Sequence, residues 1–414
     1  MVESRKQGSR LRGIARKTGI PLKLENDNTE SSRDAAIFPT GCEIVIREKE
    51  GDIMTGWRSG VLLVGMALLC GCDGSSGGGR TQNQQPPQTP NYKQNITQTS
   101  AWMSTQQLSD GAILNTSSEI EPYFANLAAI GWLVDSTKYS QVEAWMQWYI
   151  NHLNPDGTIY DYNVSNGTET STGTYDSADS YAATFLSLAE ALWSTGDSGA
   201  QTFIQNLGES NFTLIANVIT GLQQSNGLVF AMSSYQVEYL MDNSEDYRGL
   251  SDFATLAMQA WNDTATTTAY QTYATNIQNG IQNTLFIPGS GLYYTSAGAA
   301  APNLSTWYPD SVAQLWPIVN GVISPTSAQA QTLYKQFNNA WHGWPQLSFN
   351  SQDSFPWCVV GYAGYLMNDT DNTEGYLDSI QTKYVNATPP FPYPFYDAEG
   401  GWFMRTNAGM EAQH

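Results

Sequence analysis

Six short turns, rich in glycine and aromatic residues, recur along the chain and constrain its architecture more than any other feature. They are DGAIL at 110–114, DGTIYDY at 156–162, NGLVFAM at 226–232, SGLYYTS at 290–296, WPQLSF at 344–349 and GGWFMRT at 400–406. Their spacing of roughly 45 to 70 residues leaves room for two helices between consecutive turns, as in helical repeat proteins. The pattern therefore predicts six helical hairpins.

The segments between the turns have helical periodicity. Apolar residues recur at helical intervals at Tyr123, Leu127, Ile130 and Leu133, and again at Val142, Trp145, Met146 and Tyr149. Further helix pairs are predicted at 176–194 with 199–222, 246–262 with 265–285, 310–321 with 327–340, and 355–367 with 372–385. We expect an all-α fold, an (α/α)6 toroid of six helical hairpins with short β-like turns. A helical solenoid is the alternative, and closure is favoured because polar clusters recur at the starts of alternate helices.

The N-terminal quarter of the chain differs in composition from the rest. Residues 54–71 (MTGWRSGVLLVGMALLCG) have a short basic start and an apolar stretch too short to span a bilayer, and they resemble a bacterial lipoprotein signal peptide that ends before Cys72. This resemblance implies lipid on the Cys72 sulfur. Residues 72–94 are rich in Gly, Ser, Gln and Pro and predict a flexible tether. Residues 1–53 are interpreted as an over-extended N-terminus without a domain, and 95–414 as the toroid.

Charge and residue usage exclude several function classes. The net charge is -20, and residues 54–414 contain eight basic and twenty-nine acidic residues, so no nucleic acid partner is expected. The sequence has three histidines, which leaves little material for a Ser/His/Asp triad or a histidine metal site. No phosphate-binding glycine loop is present. We therefore expect no cofactor and no metal. Cys358, in an apolar setting, is interpreted as a core residue.

Carboxylates and aromatic residues supply the remaining chemistry. Acidic residues lie at the predicted starts of alternate helices, in 118–123, 175–179, 242–248 and 307–310. Such residues can simply cap helices, but a toroid would bring the four clusters to one site, where paired carboxyls cleave glycosidic bonds. Aromatic residues near these carboxylates are predicted to bind sugar rings: Tyr123, Tyr160, Tyr162, Tyr175, Tyr181, Trp307 and Tyr308.

The stretch 156–193 resembles glycoside hydrolase family 8, an (α/α)6 family that cleaves β-linked polysaccharides such as cellulose and chitosan. The residues that match its pattern are Ala178, Asp179, Ala183, Leu186, Ala189 and Trp193. Ser177 replaces an Asp of that pattern, and Ala182 replaces an Ile or Met. Ser118-Glu119 with Tyr123 is similar to the segment with the family's general acid, without its glycines. Tyr308-Pro309-Asp310 is similar to the segment with the base, without its following Arg.

The resemblance implies the roles of individual residues. Glu119 would be the general acid, Asp310 the general base, and Asp179 would hold a sugar hydroxyl. In an inverting enzyme of this kind the acid and base carboxyls lie about 6.5 to 9.5 Å apart. Alternative catalytic residues are Glu121, Asp176 and Asp246, and Arg248 is predicted to contribute to substrate binding.

These observations predict a lipid-anchored glycoside hydrolase of the bacterial cell envelope, monomeric and acting on a β-linked polysaccharide or oligosaccharide. One alternative is a sugar-binding or matrix-scaffold lipoprotein without catalysis on the same fold. Another is an unsaturated-uronide hydrolase or lyase, for which only Arg248 would neutralise the uronate. Since few groups are ionisable and many polar groups are neutral, we also expect tolerance of acidic surroundings.

Overall fold

The computed structural model describes residues 91–414. The predicted N-terminal extension, the signal peptide, the lipidation site Cys72 and residues 72–90 of the tether lie outside this part. The first helix begins at Tyr92, so residues 92–94 of the predicted tether belong to the helical domain. Within residues 91–414 the structure has no helix of the length and apolarity needed to cross a bilayer.

Thirteen α-helices follow one another in the described chain. They are α1 Tyr92–Ser104, α2 Pro122–Trp132, α3 Tyr139–Asn151, α4 Ala178–Trp193, α5 Ser198–Leu207, α6 Glu209–Leu222, α7 Leu240–Leu256, α8 Thr264–Gly280, α9 Trp316–Val319, α10 Ala328–Ala340, α11 Cys358–Leu366, α12 Thr370–Ile380 and α13 Asp397–Gln413. Consecutive helices alternate between an inner and an outer position. The break between α5 and α6 falls at Gly208, so these two helices together form one outer position.

The inner helices α2, α4, α7, α9, α11 and α13 form a closed ring. Each packs against the next, and α13 packs against α2, which closes the circle. A solenoid would leave its first and last repeats apart, so the predicted (α/α)6 toroid is confirmed. Helix α4 is buried from Ala178 to Leu186 on all sides, as expected for a helix enclosed by neighbours. The fourth inner element is irregular, with a π-helical turn at Trp307–Ser311 and a 3-10 turn at Val312–Leu315 before α9.

The glycines of three predicted turns have a common steric cause. Gly111, Gly157 and Gly227 have φ angles of 105°, 86° and 90°, which L residues with side chains rarely adopt. A Cβ atom on each would lie 2.3, 2.5 and 2.2 Å from a backbone oxygen of α3, α6 and α8, respectively. Each turn is therefore pressed against the next outer helix, and glycine is the residue that fits.

The prediction of a sixth turn at 400–406 is wrong. These residues lie inside α13, and the sixth connection to an inner helix is 386–396. A Cβ on Gly401 would lie 2.3 Å from the Leu127 oxygen, and one on Gly131 would lie 2.2 Å from the Gly401 Cα. The two glycines therefore allow α13 and α2 to approach closely at the point where the ring closes.

Short strands occur in the connections that lead from outer to inner helices. A three-stranded antiparallel sheet contains β1 Glu119–Ile120, β2 Tyr162–Ser165 and β3 Thr168–Ser171, with Glu119 opposite Asn163. A second pair contains β4 Phe286–Ile287 and β5 Leu292–Tyr293. Of these strands, β2 begins at the last residue of the predicted turn 156–162 and β5 lies within the predicted turn 290–296, whereas β1, β3 and β4 lie outside the predicted turns.

Candidate active site

The inner helices all begin at the same end of the ring, because each outer position returns the chain before the next inner helix starts. We call this end, with the first turns of the six inner elements and the connections entering them, the acidic face. Its acidic residues near the starts of the inner elements are Glu119, Glu121, Asp176, Asp179, Asp242, Glu245, Asp246, Asp310, Asp397 and Glu399, and the connections add Asp110, Asp156, Asp161, Glu169, Glu238 and Asp353.

Four of these residues form one group between α4 and α7, which we call the acid cluster: Asp179, Asp242, Glu245 and Asp246. The three residues of α7 have i, i+3 and i+4 spacing, which places them on one side of the helix. Asp179 and Asp246 are fully buried and Glu245 is 6% exposed, whereas Asp242 is half-buried. Only Asp242 of the four is therefore readily reached from solvent.

Ser177 connects two carboxyls of the acid cluster. Its Oγ lies 2.5 Å from Asp179 Oδ1 and 3.2 Å from Asp242 Oδ2. Since one hydroxyl carries one proton, it donates to one of these oxygens at a time. The Ser180 backbone N–H also donates to Asp179 Oδ1, at 2.8 Å. Asp179 Oδ2 and both Asp246 oxygens are buried without a hydrogen-bond donor, and a proton shared between these two carboxyls would supply one.

No cation of the described residues 91–414 pairs with the acid cluster. Within residues 91–414, no lysine, arginine or histidine lies within ion-pair distance of its four carboxyls. Burial raises the pKa of Glu245 to about 8, and the charge of Asp242 adds to the effect. Burial likewise raises the pKa of Asp242 to about 6. Burial and neighbouring charges raise the pKa values of Asp179 and Asp246 well above the usual range. The cluster therefore holds protons at neutral pH.

Two donors from other inner elements fix Glu245. The Tyr123 hydroxyl and the Trp316 indole N–H both donate to Glu245 Oε1, at 2.7 and 2.9 Å. Because Oε1 accepts both bonds, a proton on this carboxyl is carried by Oε2. The Tyr123 ring also stacks on Tyr181, with centroids 6.2 Å apart. Tyr123, predicted to bind substrate, is thus joined to the acid cluster by a hydrogen bond to Glu245.

Tyr181 connects the acid cluster to a second group of carboxyls. Its hydroxyl donates to the buried Asp161 at 2.7 Å. Burial raises the pKa of Tyr181 well above its usual value, and the charges of Asp161, Glu121 and Asp176 add to this effect. Glu121 is half-buried and has an extended backbone before α2, and Asp176 is exposed. Glu121, Asp176 and Asp242 are thus accessible carboxyls around the Tyr123–Tyr181 stack.

Sequence reasoning missed the acidic residues at the start of α13. Glu399 accepts hydrogen bonds from the backbone N–H groups of Trp357 and Cys358, at 3.2 and 2.6 Å, and so joins α13 to the start of α11. Burial raises the pKa of Glu399 to about 7. Asp397 Oδ1 accepts from the Ala398 N–H at 2.8 Å, and its buried Oδ2 has no donor. The search for acidic residues at the starts of helices, which located the other clusters, would have found both residues.

The predicted acid and base are each held by their own loop. Thr116 Oγ1 lies 3.5 Å from Glu119 Oε2, and the Asn303 backbone N–H donates to Asp310 Oδ2 at 2.9 Å. Both residues are on the acidic face, in segments that enter different inner elements. No hydrogen bond within residues 91–414 joins either to the acid cluster. The hydroxyl of Ser177 joins Asp242 to Asp179.

Two predicted substrate-binding residues lie elsewhere than expected. Trp307 is fully buried and stacks on Phe349, with centroids 4.1 Å apart, so it belongs to the core and presents no face to a sugar. Arg248 lies six residues beyond Asp242, about 9 Å further along the helix axis. It is bound to Asp252, with 2.6 Å between Nε and Oδ2. It therefore points away from the acidic face.

The other predicted aromatics lie in the connections. Tyr160 stacks on Tyr175, with centroids 5.8 Å apart. Tyr162, in β2, packs edge-on against Trp148 at 5.2 Å. Tyr308 is 44% exposed and stacks on Trp357 at 5.0 Å. Within residues 91–414, no group of three His, Cys, Asp or Glu side chains has the geometry of a metal site.

The fold is similar to that of solved glycosidases. No protein-family profile matches the sequence, and no curated protein sequence is significantly similar to it. A glycosidase variant in complex with glucose is 10% identical with a TM-score of 0.58, covering 77% of this chain and 97% of that one. The family 63 mannosylglycerate hydrolase from Thermus thermophilus, in complex with Tris and D-glycerate, is 10% identical with a TM-score of 0.56, covering 75% and 100%. At this identity the similarity establishes the fold, without support for family 8 in particular.

Proposed function

We propose that this protein is a glycoside hydrolase whose reaction centre lies on the acidic face. The observation that carries the proposal is the group of accessible carboxyls around the Tyr123–Tyr181 stack. They lie next to buried acids with which no cation of residues 91–414 pairs. Glycosidic bond cleavage needs one protonated and one ionised carboxyl. The glycosidase fold supports the same chemistry.

Asp242 is assigned as the general acid. It is half-buried, and burial raises its pKa to about 6, in the range of carboxyls that donate protons near neutral pH. Its proton would pass to the glycosidic oxygen as the bond from that oxygen to the anomeric carbon breaks. Ser177 bonds to the ionised product and helps to stabilise it.

Glu121 is assigned as the general base. It lies directly before α2, and its charge acts on Tyr181, whose ring stacks on that of Tyr123. In an inverting reaction it would take a proton from a water molecule while the water oxygen bonds to the anomeric carbon. Proton donation and proton removal then balance, and the acid and base return to their initial states through solvent.

Two substitutions test these roles against a control. We expect Asp242→Asn and Glu121→Gln each to lower kcat by about 100-fold or more in reducing-sugar assays on a panel of β-glucans, chitosan and short glycosides. Glu143→Gln, on the outer helix α3, should leave kcat unchanged. Circular dichroism would verify that the variants fold. Full activity of both site variants would overturn the assignment, and the absence of hydrolysis in the wild type would favour a sugar-binding protein.

Glu119 and Asp310 remain the acid and base that the family 8 resemblance proposes, with Asp179 as a sugar-binding residue. The same assay decides between the two pairs. Loss of activity in Glu119→Gln and Asp310→Asn, with activity kept in Asp242→Asn, would establish the alternative pair. The full burial of Asp179 favours a supporting role within the acid cluster.

Lipid anchoring through Cys72 would place the reaction at a bacterial membrane, in the cell envelope, with the predicted tether between lipid and toroid. The proposal is supported by the sequence of residues 54–72. Mass spectrometry of the native protein would test it, since a lipid-modified N-terminal Cys72 is expected and an unmodified peptide across residues 68–75 would contradict it.

A further inference from the structure

Exposed tyrosines are concentrated on the acidic face. Four tyrosines in residues 91–414 are markedly exposed, and three of them lie in segments that enter inner elements: Tyr235, Tyr308 and Tyr393, at 42%, 44% and 70%. We call these three the rim tyrosines. The fourth, Tyr273, is 38% exposed and lies on the outer helix α8. Because large apolar rings are costly to expose, three on one face suggest a ligand surface.

A second ring supports each rim tyrosine. Tyr235 and Tyr239 have ring centroids 6.3 Å apart and hydroxyls 2.9 Å apart. Tyr308 stacks on Trp357 with centroids 5.0 Å apart. Tyr393 packs edge-on against Phe355 at 6.0 Å. Such support restricts ring motion before binding, which lowers the entropy lost when a ligand stacks on the ring.

The supporting contacts join neighbouring connections into an arc. Tyr239 pairs with Ser296, which links the connection to the third inner helix with the connection to the fourth element. Trp357 and Phe355 belong to one connection and contact Tyr308 on one side and Tyr393 on the other. Inner helices packed about 8 to 10 Å apart make this arc, from the third to the sixth inner element, on the order of 25 Å long. The arc is longer than a single sugar ring.

We propose that the rim tyrosines bind an uncharged polysaccharide chain across the mouth of the acidic face. The inference rests on the proposed function for its substrate class, and it extends that function from a single glycosidic bond to a polymer. Tyrosine rings stack on the C–H faces of pyranoses without needing charge. Residues 91–414 contain six basic and twenty-eight acidic residues, so an acidic polysaccharide would be repelled.

Affinity electrophoresis through gels containing polysaccharide tests this proposal without turnover. The full chain from Cys72 onward would be run, with Asp242→Asn as background, in gels containing neutral β-glucan, polygalacturonate or no polysaccharide. We expect retardation by the neutral polymer only. We expect a rise of about 2- to 10-fold in the apparent Kd for each of the variants Tyr235→Ala, Tyr308→Ala and Tyr393→Ala, as loss of one aromatic stacking contact implies. Tyr273→Ala, with a similarly exposed ring outside the rim, should not.

The outcomes separate this proposal from the proposed function. Equal retardation of the rim variants and the wild type, or an equal loss in Tyr273→Ala, would overturn the rim surface. Retardation by polygalacturonate would also overturn it. Hydrolysis of short glycosides without polymer binding would support the proposed function and overturn the proposal that the rim tyrosines bind a polysaccharide. Polymer binding that depends on the rim tyrosines, without hydrolysis of any substrate, would support the polysaccharide-binding proposal and overturn the proposed function.

Discussion

The two ends of the inner ring differ in whether a buried carboxyl has a cationic partner. The first half of the ring is the acidic face, and the second half is the opposite end of the inner helices. On the acidic face, Asp246 is fully buried, and no cation of residues 91–414 forms an ion pair with it. Further along the same helix, Asp252 is 6% exposed and bound to Arg248. Burial raises both pKa values, but the charge and hydrogen bond of Arg248 hold that of Asp252 to about 6, whereas that of Asp246 rises well above the usual range.

The arginines of the described chain are confined to that second half. Residues 91–414 contain two arginines, Arg248 and Arg405. Arg405 lies over the rings of Tyr362 and Trp402, at 4.2 and 4.3 Å from their centroids. Cations and aromatic rings thus stabilise the ring at the end away from the acidic face. At the acidic face, buried carboxyls are protonated instead. This separation supports the proposed location of the acid–base chemistry at the acidic face.

The largest expected effect is on the pH dependence of stability. The pKa of Glu245 in the folded state is about 8, raised by burial above its unfolded value, so the folded state binds a proton that the unfolded state has lost. The free energy of unfolding must therefore fall as pH rises from about 5 to about 8, for this group by on the order of 4 kcal/mol. Urea denaturation of the wild type at several pH values would measure this fall.

Glu245→Gln provides the matched variant for that measurement. The amide oxygen can still accept from Tyr123 and Trp316, but the side chain no longer titrates. Its stability should change less between about pH 5 and pH 8 than that of the wild type. Wild-type stability that rises over this interval would contradict the protonated acid cluster, and also the sequence-based expectation of acid tolerance.

The recurring turns and the helical periodicity predicted the hairpins, and the polar clusters at the starts of alternate helices favoured their closure into a ring. The error at 400–406 arose because Gly400 and Gly401 resemble turn residues, whereas their function is the close approach of α13 to α2. Helix-start logic likewise located the run 242–248. It could not show that Asp246 meets Asp179, since those residues are far apart in sequence and meet only through the packing of α4 against α7. Residue roles taken from a local resemblance, as for Glu119, contain no such information.

A smaller effect on the free energy of unfolding is expected when Arg248, which lies away from the acidic face, is removed. Arg248→Ala leaves Asp252 buried without its partner, which should lower the free energy of unfolding by about 1 to 2 kcal/mol at about pH 8, since the arginine side chain is half exposed. The loss should shrink at about pH 5, because Asp252 can then be neutral. Asp252→Asn in the same background should restore most of the stability. A loss that does not depend on pH would indicate that packing of the arginine stem, rather than its charge, is responsible.

The smallest effect distinguishes the two arginines from each other. The Arg405 guanidinium makes cation–π contacts with the Tyr362 and Trp402 rings, so Arg405→Ala should cost about 0.5 to 1 kcal/mol through loss of this attraction. Because no carboxyl of residues 91–414 forms an ion pair with Arg405, this loss should be the same at about pH 5 and about pH 8, in contrast to Arg248→Ala. Arg405→Lys keeps a cation near both rings and should recover part of the loss. If Arg405→Ala instead showed the pH dependence expected of Arg248→Ala, the two arginines would share one carboxyl, and the comparison between paired and unpaired acids would have to include both.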